Sequence, residues 1–340
     1  MAQESHVPAK PRVPPELFPL IVDRVAENDL ATQSYGLAEE TKDSLKALCL
    51  TSIALRAYAD PLLWRTVRVE SCSEINQLLN CSSTRAYDDT KASRLVHLRR
   101  IYIGLTTQES ASPPNCLLRL MALLAQDAKH LQALAFDIPF RECTSKVWKA
   151  FNAQFRPLFR QLPLRELVSL RDEVFFSMPW GAATPRRGEW QYFEALQRLV
   201  IYNPVLEDDF VLAVLSMPHL RDVVIMRSDY GWVDGDEKEG KAILALQKAC
   251  RTQEDGSRKT LRLFVSGGYG SHLLRSGMIL RALSELERDA DSGFTLHLSV
   301  NLDGVPHKME AADVSPFVYQ DWIRTSIQNG ALWKAKGHLE

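Results

Sequence analysis

Leu98-Arg99-Arg100-Ile101-Tyr102-Ile103 and Leu131-Gln132-Ala133-Leu134-Ala135-Phe136 share one pattern, with apolar residues at the first, fourth and sixth positions. Five later stretches repeat it with aliphatic, aromatic or small-residue variation: Leu164-Arg-Glu-Leu-Val-Ser169, Leu196-Gln-Arg-Leu-Val-Ile201, Leu220-Arg-Asp-Val-Val-Ile225, Leu261-Arg-Leu-Phe-Val265 and Leu296-His-Leu-Ser-Val300. Apolar residues two apart are the mark of a strand. The seven stretches begin 33, 33, 32, 24, 41 and 35 residues apart. A strand returning at such intervals predicts a solenoid, in which each unit buries its apolar face only against its neighbours.

Helical periodicity fills the intervals, at Leu117–Ala125, Val147–Phe159, Asp208–Leu215, Gly240–Cys250 and Met278–Arg288. Alternating strand and helix predicts parallel strands with helices covering one side of the sheet. The fold class is therefore α/β, with the repeats spanning residues 95–325 and a C-terminal tail over 326–340. The repeat resembles the leucine-rich repeat family in a degenerate form.

A different organisation precedes it. Residues 1–12 are polar and read as a disordered tail, and Val13-Pro14-Pro15-Glu16-Leu17 then opens a helix that places Leu17, Leu20, Ile21 and Val25 at helical spacing. The polar stretch Ala26–Asp43 reads as a loop. Helical runs follow at Ser44–Leu50 and Ile53–Ala59, the second expected to stop at Asp60-Pro61. Leu62-Leu63-Trp64-Arg65-Thr66-Val67-Arg68-Val69 leads into a short strand, and residues 70–94 read as a connecting segment.

Val13-Pro14-Pro15-Glu16-Leu17, Leu48-Cys49-Leu50-Thr51-Ser52 and Ala59-Asp60-Pro61-Leu62-Leu63-Trp64 together resemble the three blocks of a fungal-type F-box over residues 13–69. The resemblance implies docking onto the Skp-type adaptor of a cullin-based SCF ubiquitin ligase through Pro14, Pro15, Leu17, Ile21, Leu48, Leu50 and Ser52. It also implies a substrate-recognition role, with the repeats binding a protein target. Read without the resemblance, Leu17, Ile21, Leu48 and Leu50 also suit the core of a three-helix cap, since the end of a solenoid needs one. The protein would then be an interaction scaffold with no ubiquitin role.

Composition narrows the classes. Lys and Arg number 41 against 42 Asp and Glu, so no overall field favours nucleic acid or an anionic membrane. No segment approaches the apolar length of a membrane span. Cys49, Cys72, Cys81, Cys116, Cys143 and Cys250 are scattered singly, as reduced thiols of the cytoplasm or nucleus would be. The histidines and cysteines show no metal-binding spacing. Asp234-Gly-Asp-Glu-Lys-Glu239 lacks the Gly and Glu that a calcium loop requires at its sixth and twelfth positions. Ser266-Gly-Gly-Tyr-Gly-Ser271 fits no phosphate-loop pattern, and no nucleophile elbow occurs. These readings predict no metal, no cofactor and no catalysis.

If the strands are parallel, the segments leaving their C-terminal ends share one rim. Three of those segments are aromatic, carrying Trp180, Arg187 and Trp190, then Tyr230 and Trp232, then Tyr269. Trp, Tyr and Arg dominate protein–protein hot spots, so these six are the expected target-binding residues. Trp180 and Trp190 equally suit folding back over the ends of the sheet, whereas the Gly- and charge-rich setting of Arg187 and Trp232 favours binding.

Overall fold

The computed structural model describes residues 13–32, 34–83, 93–105, 115–138, 153–155, 157–171, 193–202, 214–226, 245, 261–266, 294–298, 316–329 and 331. Three helices open the chain: α1 (Phe18–Thr32), α2 (Glu39–Thr51) and α3 (Ile53–Leu63). A 3-10 turn at Pro15–Leu17 leads into α1, and Pro19 falls in its first turn, where a missing N–H costs nothing. Phe18, Val22, Val25 and Ala26 form its inward stripe. With Leu45 of α2 and Leu55 and Ala59 of α3, they make a small core.

The loop between α1 and α2 is shorter than the polar stretch 26–43 suggests, because both helices extend into it and leave only residues 33–38. Polar composition there marks the solvent face of two helices, with Arg24 paired to Glu27, Lys42 to Glu39 and Lys46 to Asp43. Asp29 of α1 accepts the Ala38 N–H at 2.8 Å and ties the loop's two ends together. Ser52 separates α2 from α3 as an extended residue whose hydroxyl accepts the Leu55 N–H at 3.0 Å. Pro61 does not end α3, which continues to Leu63, with the Trp64 N–H donating to Asp60 O.

Eight strands form one sheet in chain order, each parallel to the next: β1 (Thr66–Val69), β2 (Arg100–Gly104), β3 (Ala133–Asp137), β4 (Glu166–Ser169), β5 (Arg198–Tyr202), β6 (Asp222–Met226), β7 (Leu261–Ser266) and β8 (Phe294–Leu298). The sheet thus begins inside what the sequence reads as the helical unit. Extending the Thr66–Arg100 register back by two residues sets Trp64 opposite Leu98, an eighth repeat disguised by its tryptophan. At the other end the register pairs Leu263 with Val223 and Leu296 with Leu263. Leu263 and Leu296 therefore stand at the fourth position of the pattern, where sequence alone placed Leu261 and Leu296 at the first.

Between β1 and β2 the expected connector holds a helix, α4 (Cys72–Ser83), and β3 is preceded by α5 (Asn115–Asp127). Leu117, Leu120, Met121 and Leu124 of α5 lie at spacings of three and four and are fully buried. They meet Ile101, Ile103, Leu134, Phe136, Leu167 and their equivalents on one face of the sheet. Phe155, Phe159 and Phe193 continue that layer, with ring centroids 5.1 to 6.0 Å apart along the chain of contacts from Phe136.

The other face is covered as well, contrary to the expectation of helices on one side. The helix α6 (Pro316–Gln328) and Tyr35 of the α1–α2 loop pack on Tyr102, Ala133, Ala135, Val168, Val200, Tyr202, Val224 and Met226. Ile323 and Ile327 are its buried anchors. The expected tail boundary at 326 therefore falls inside an ordered helix. Burial on both faces explains why β3 and β6 are buried at every position instead of alternating.

Candidate functional site

An apolar surface lies on the N-terminal helices. Helix α1 carries a second apolar stripe beside its inward one, with Leu17, Leu20 and Ile21 exposed next to Val13. Leu50 at the end of α2 is 80% exposed and Ile53 at the start of α3 is 87% exposed, with Tyr58 one turn further on. Ser52 fixes the corner between Leu50 and Ile53 through its cap. Among the described residues, every large apolar side chain that is exposed lies between Val13 and Tyr58.

Of the seven residues expected to dock, Pro14, Pro15, Leu17, Ile21 and Leu50 are exposed and Ser52 is partly so. Leu48 instead packs, partly buried, against the core of the helical unit. Sequence reading passed over Leu20, Ile53 and Tyr58. The available signal was an excess of apolar residues over what one inward stripe uses, with Leu17, Leu20 and Ile21 offset around the helix from Val22, Val25 and Ala26. Trp180, Arg187, Trp190, Tyr230, Trp232 and Tyr269 lie outside the described residues.

A second cluster lies beneath α6. Register places Arg100, Ala133, Glu166, Arg198 and Asp222 in one row across β2 to β6. Glu166 sits between two guanidiniums, with Arg198 Nη1 3.4 Å from its Oε2 and Arg100 Nη1 3.5 Å from its Oε1, the latter without hydrogen-bond geometry. Arg198 Nε also reaches Asp222 Oδ2 at 3.9 Å. Tyr35 donates its hydroxyl to Glu166 Oε1 at 2.8 Å, and the Arg100 guanidinium lies 5.6 Å from its ring centre.

At the opposite ends of the strands, Asp137 accepts from Tyr102 Oη at 2.6 Å, from Arg324 Nε of α6 at 2.7 Å and from Arg171. Burial alone would raise the Asp137 carboxyl, but the Arg324 and Tyr102 hydrogen bonds and the Arg171 charge outweigh it and hold it below its ordinary value. Burial, and then the neighbouring carboxylate, pushes the Tyr35 and Tyr102 hydroxyls well above theirs. Both tyrosines therefore stay protonated donors at neutral pH. The cluster holds a loop and a helix onto the sheet.

Among the described residues, no three His, Cys, Asp or Glu side chains are grouped to hold a metal ion, and no helix is long and apolar enough to cross a membrane. Cys49 and Cys116 are free thiols. Comparison with protein-family models, with curated proteins and with solved structures gives no match to this chain.

Proposed function

We propose that the chain is a substrate-recognition adaptor of an SCF-type ubiquitin ligase. In this reading the helical unit of residues 13–69 acts as an F-box that docks on a Skp-type subunit linked to a cullin. The sheet is a degenerate leucine-rich repeat array carrying a protein target, with no catalytic role of its own, in the cytoplasm or nucleus. One observation carries the reading: the exposed large apolar side chains of the described residues all fall on the helices whose sequence resembles an F-box. A cap that merely closed a solenoid would turn those residues inward, whereas docking requires them in solvent in the free chain.

The test is co-purification of the full chain with a Skp-type subunit, comparing the parent with Leu50→Asp combined with Ile53→Asp. Both side chains are more than three-quarters exposed, so carboxylates there leave the core intact. Placed in an apolar interface, the same carboxylates are desolvated without a partner. The expected result is loss of the subunit with an unchanged melting temperature. Retained binding would defeat the assignment, and an early melt would return these residues to a structural cap.

A further inference from the structure

We infer that the N-terminal edge of the sheet is a docking rail for an extended acidic protein segment with carboxylates at about every third residue. The residue preceding each of β1 to β6 forms a row of its own: Arg65, Arg99, Gln132, Arg165, Gln197 and Arg221. Backbone bonds fix the row, because each residue donates its N–H to the carbonyl of the one before, from Arg99 to Arg65 (2.8 Å) through to Arg221 to Gln197 (2.9 Å). Arg65, Arg165 and Arg221 are exposed and Arg99 is partly so.

Among the described residues, none of the four guanidiniums has a carboxylate partner. Arg99 reaches only the His130 carbonyl at 3.3 Å, and Arg221 the Gln197 side chain at 3.0 Å. The turns leading into these strands contain a single acidic side chain among the described residues, Glu194. Lys129, His97, His130 and His219 stand exposed in the same turns. Burial first, and then the charges of Arg99 and Arg100, lower the Arg65 pKa, so a carboxylate brought to this end of the row would relieve like-charge repulsion there.

Spacing selects the occupant. Arg99 and Arg165 are two strands apart, as are Arg165 and Arg221, which separates each pair by about 9.6 Å at the usual distance between strands. Three residues of extended peptide span about 10 Å. The amides of Gln132 and Gln197 stand between the cations, where the partner's intervening backbone or polar side chains would lie. Single-stranded nucleic acid fits less well, because this row contains no aromatic side chain on which a base could stack. A membrane surface fits less well too, because the exposed large apolar side chains among the described residues lie elsewhere, at residues 13–58. The inference is independent of the Skp-docking reading, whose residues lie on the helices.

The test is fluorescence anisotropy on the full chain, using a labelled peptide with Glu at every third residue among Ser and Thr, and a second of the same composition with its Glu contiguous. The spaced peptide should bind at least roughly tenfold tighter than the contiguous one, weaken with added salt, and lose at least about tenfold on Arg99→Gln with Arg165→Gln. Arg165→Gln alone, at an exposed side chain, should weaken binding in the same direction with the melting temperature unchanged. Absence of binding, equal affinity for the two peptides, or an unaffected double variant would overturn the inference. So would tighter, arginine-dependent binding of an oligodeoxythymidine or of phosphatidylserine vesicles, and either would make the edge a site for that class instead.

Discussion

Tyr35, between the first two helices, donates its hydroxyl to Glu166 at the start of β4 across 2.8 Å and its backbone N–H to the Ile327 carbonyl of α6 across 3.2 Å. One residue thus joins the first helices, the middle of the sheet and the last helix. The helical unit is held against the sheet at a point distant from the β1 junction, so its exposed apolar face has a fixed relation to the strand edges. Removing the hydroxyl with Tyr35→Phe leaves Glu166 between Arg100 and Arg198 but deletes a hydrogen bond to a charged group. The expected cost is about 1.5 to 3 kcal/mol in urea unfolding, with an unchanged m-value.

The same tyrosine predicts an alkaline limb of stability. Burial and Glu166 raise its pKa in the folded chain, while in the unfolded chain it ionises near the ordinary value of about 10. Folded Tyr35 retains its proton where unfolded tyrosine has lost it, so its contribution is complete below that value and declines as pH rises past it. Stability measured between neutral pH and strong alkali should fall less steeply in Tyr35→Phe than in the parent. Identical slopes would show that Tyr35 does not govern this limb.

Asp137 works in the opposite direction. Its carboxyl is held down by Arg324, Tyr102 and Arg171, so its stabilisation is present above the unfolded carboxylate value of about 4 and is lost as pH falls through the lower folded value. Removing this buried partner of two guanidiniums with Asp137→Ala should cost about 3 to 5 kcal/mol at neutral pH. In Asp137→Asn, which keeps the shape, acid unfolding should begin from a lower plateau and lose its dependence on this group. The check is a denaturant midpoint series from pH 7 downwards.

The repeated Leu-x-x-Leu pattern made the strands and their parallel order legible, because apolar residues at a fixed phase leave few other folds. The covering of the second face was not legible. Ala133, Ala135, Val168 and Val200 read as ordinary members of strands, and nothing in Pro316–Gln328 says which surface its Ile323 and Ile327 seek. Long-range partners such as Asp137 and Arg324, 187 residues apart, have no local signature. Trp64 hid the first repeat because the pattern was sought as leucine, and polar residues on two helix faces looked like a loop. The proposed docking surface was half legible, since the F-box resemblance points to Leu17 and Leu50 whereas Leu20 and Ile53 emerge only from their exposure.

Gly104 gives a local test of the Asp137 cluster. A Cβ added there would stand 2.9 Å from Tyr102 Cε1 and 3.2 Å from its hydroxyl oxygen. The ring has little freedom to yield, because its hydroxyl is bonded to Asp137 and it lies buried beside Ala135, its register partner in β3. Gly104→Ala should therefore destabilise by about 1 to 3 kcal/mol, the usual cost of overpacking. If the clash acts by displacing the hydroxyl, combining it with Tyr102→Phe should cost less than the sum of the two singles. Additive costs would place the strain in the backbone instead.

Helix α6 supplies the last prediction, a chain ending at residue 315. Ile323 and Ile327 are fully or almost fully buried, and losing each from an apolar site forfeits about 1.5 to 3 kcal/mol of burial. Arg324 goes with them, leaving Asp137 to Arg171 and Tyr102 alone, and the Tyr35 N–H loses its acceptor at Ile327. Val168, Val200, Tyr202 and Val224 would then face water as an apolar patch. The strands retain their ladder and the helices on the other face, so the shortened chain should keep its far-ultraviolet circular dichroism, unfold several kcal/mol more easily, and bind more of a hydrophobic dye than the full chain, whose own exposed apolar side chains set the baseline. Backbone amides of α1 and α2 should also exchange faster, because Tyr35 loses its tie to Ile327. A shortened chain with the parent's melting temperature and no more dye binding than the full chain would mean that α6 rests on the sheet without stabilising it, and that Tyr35 and Glu166 alone hold the loop in place.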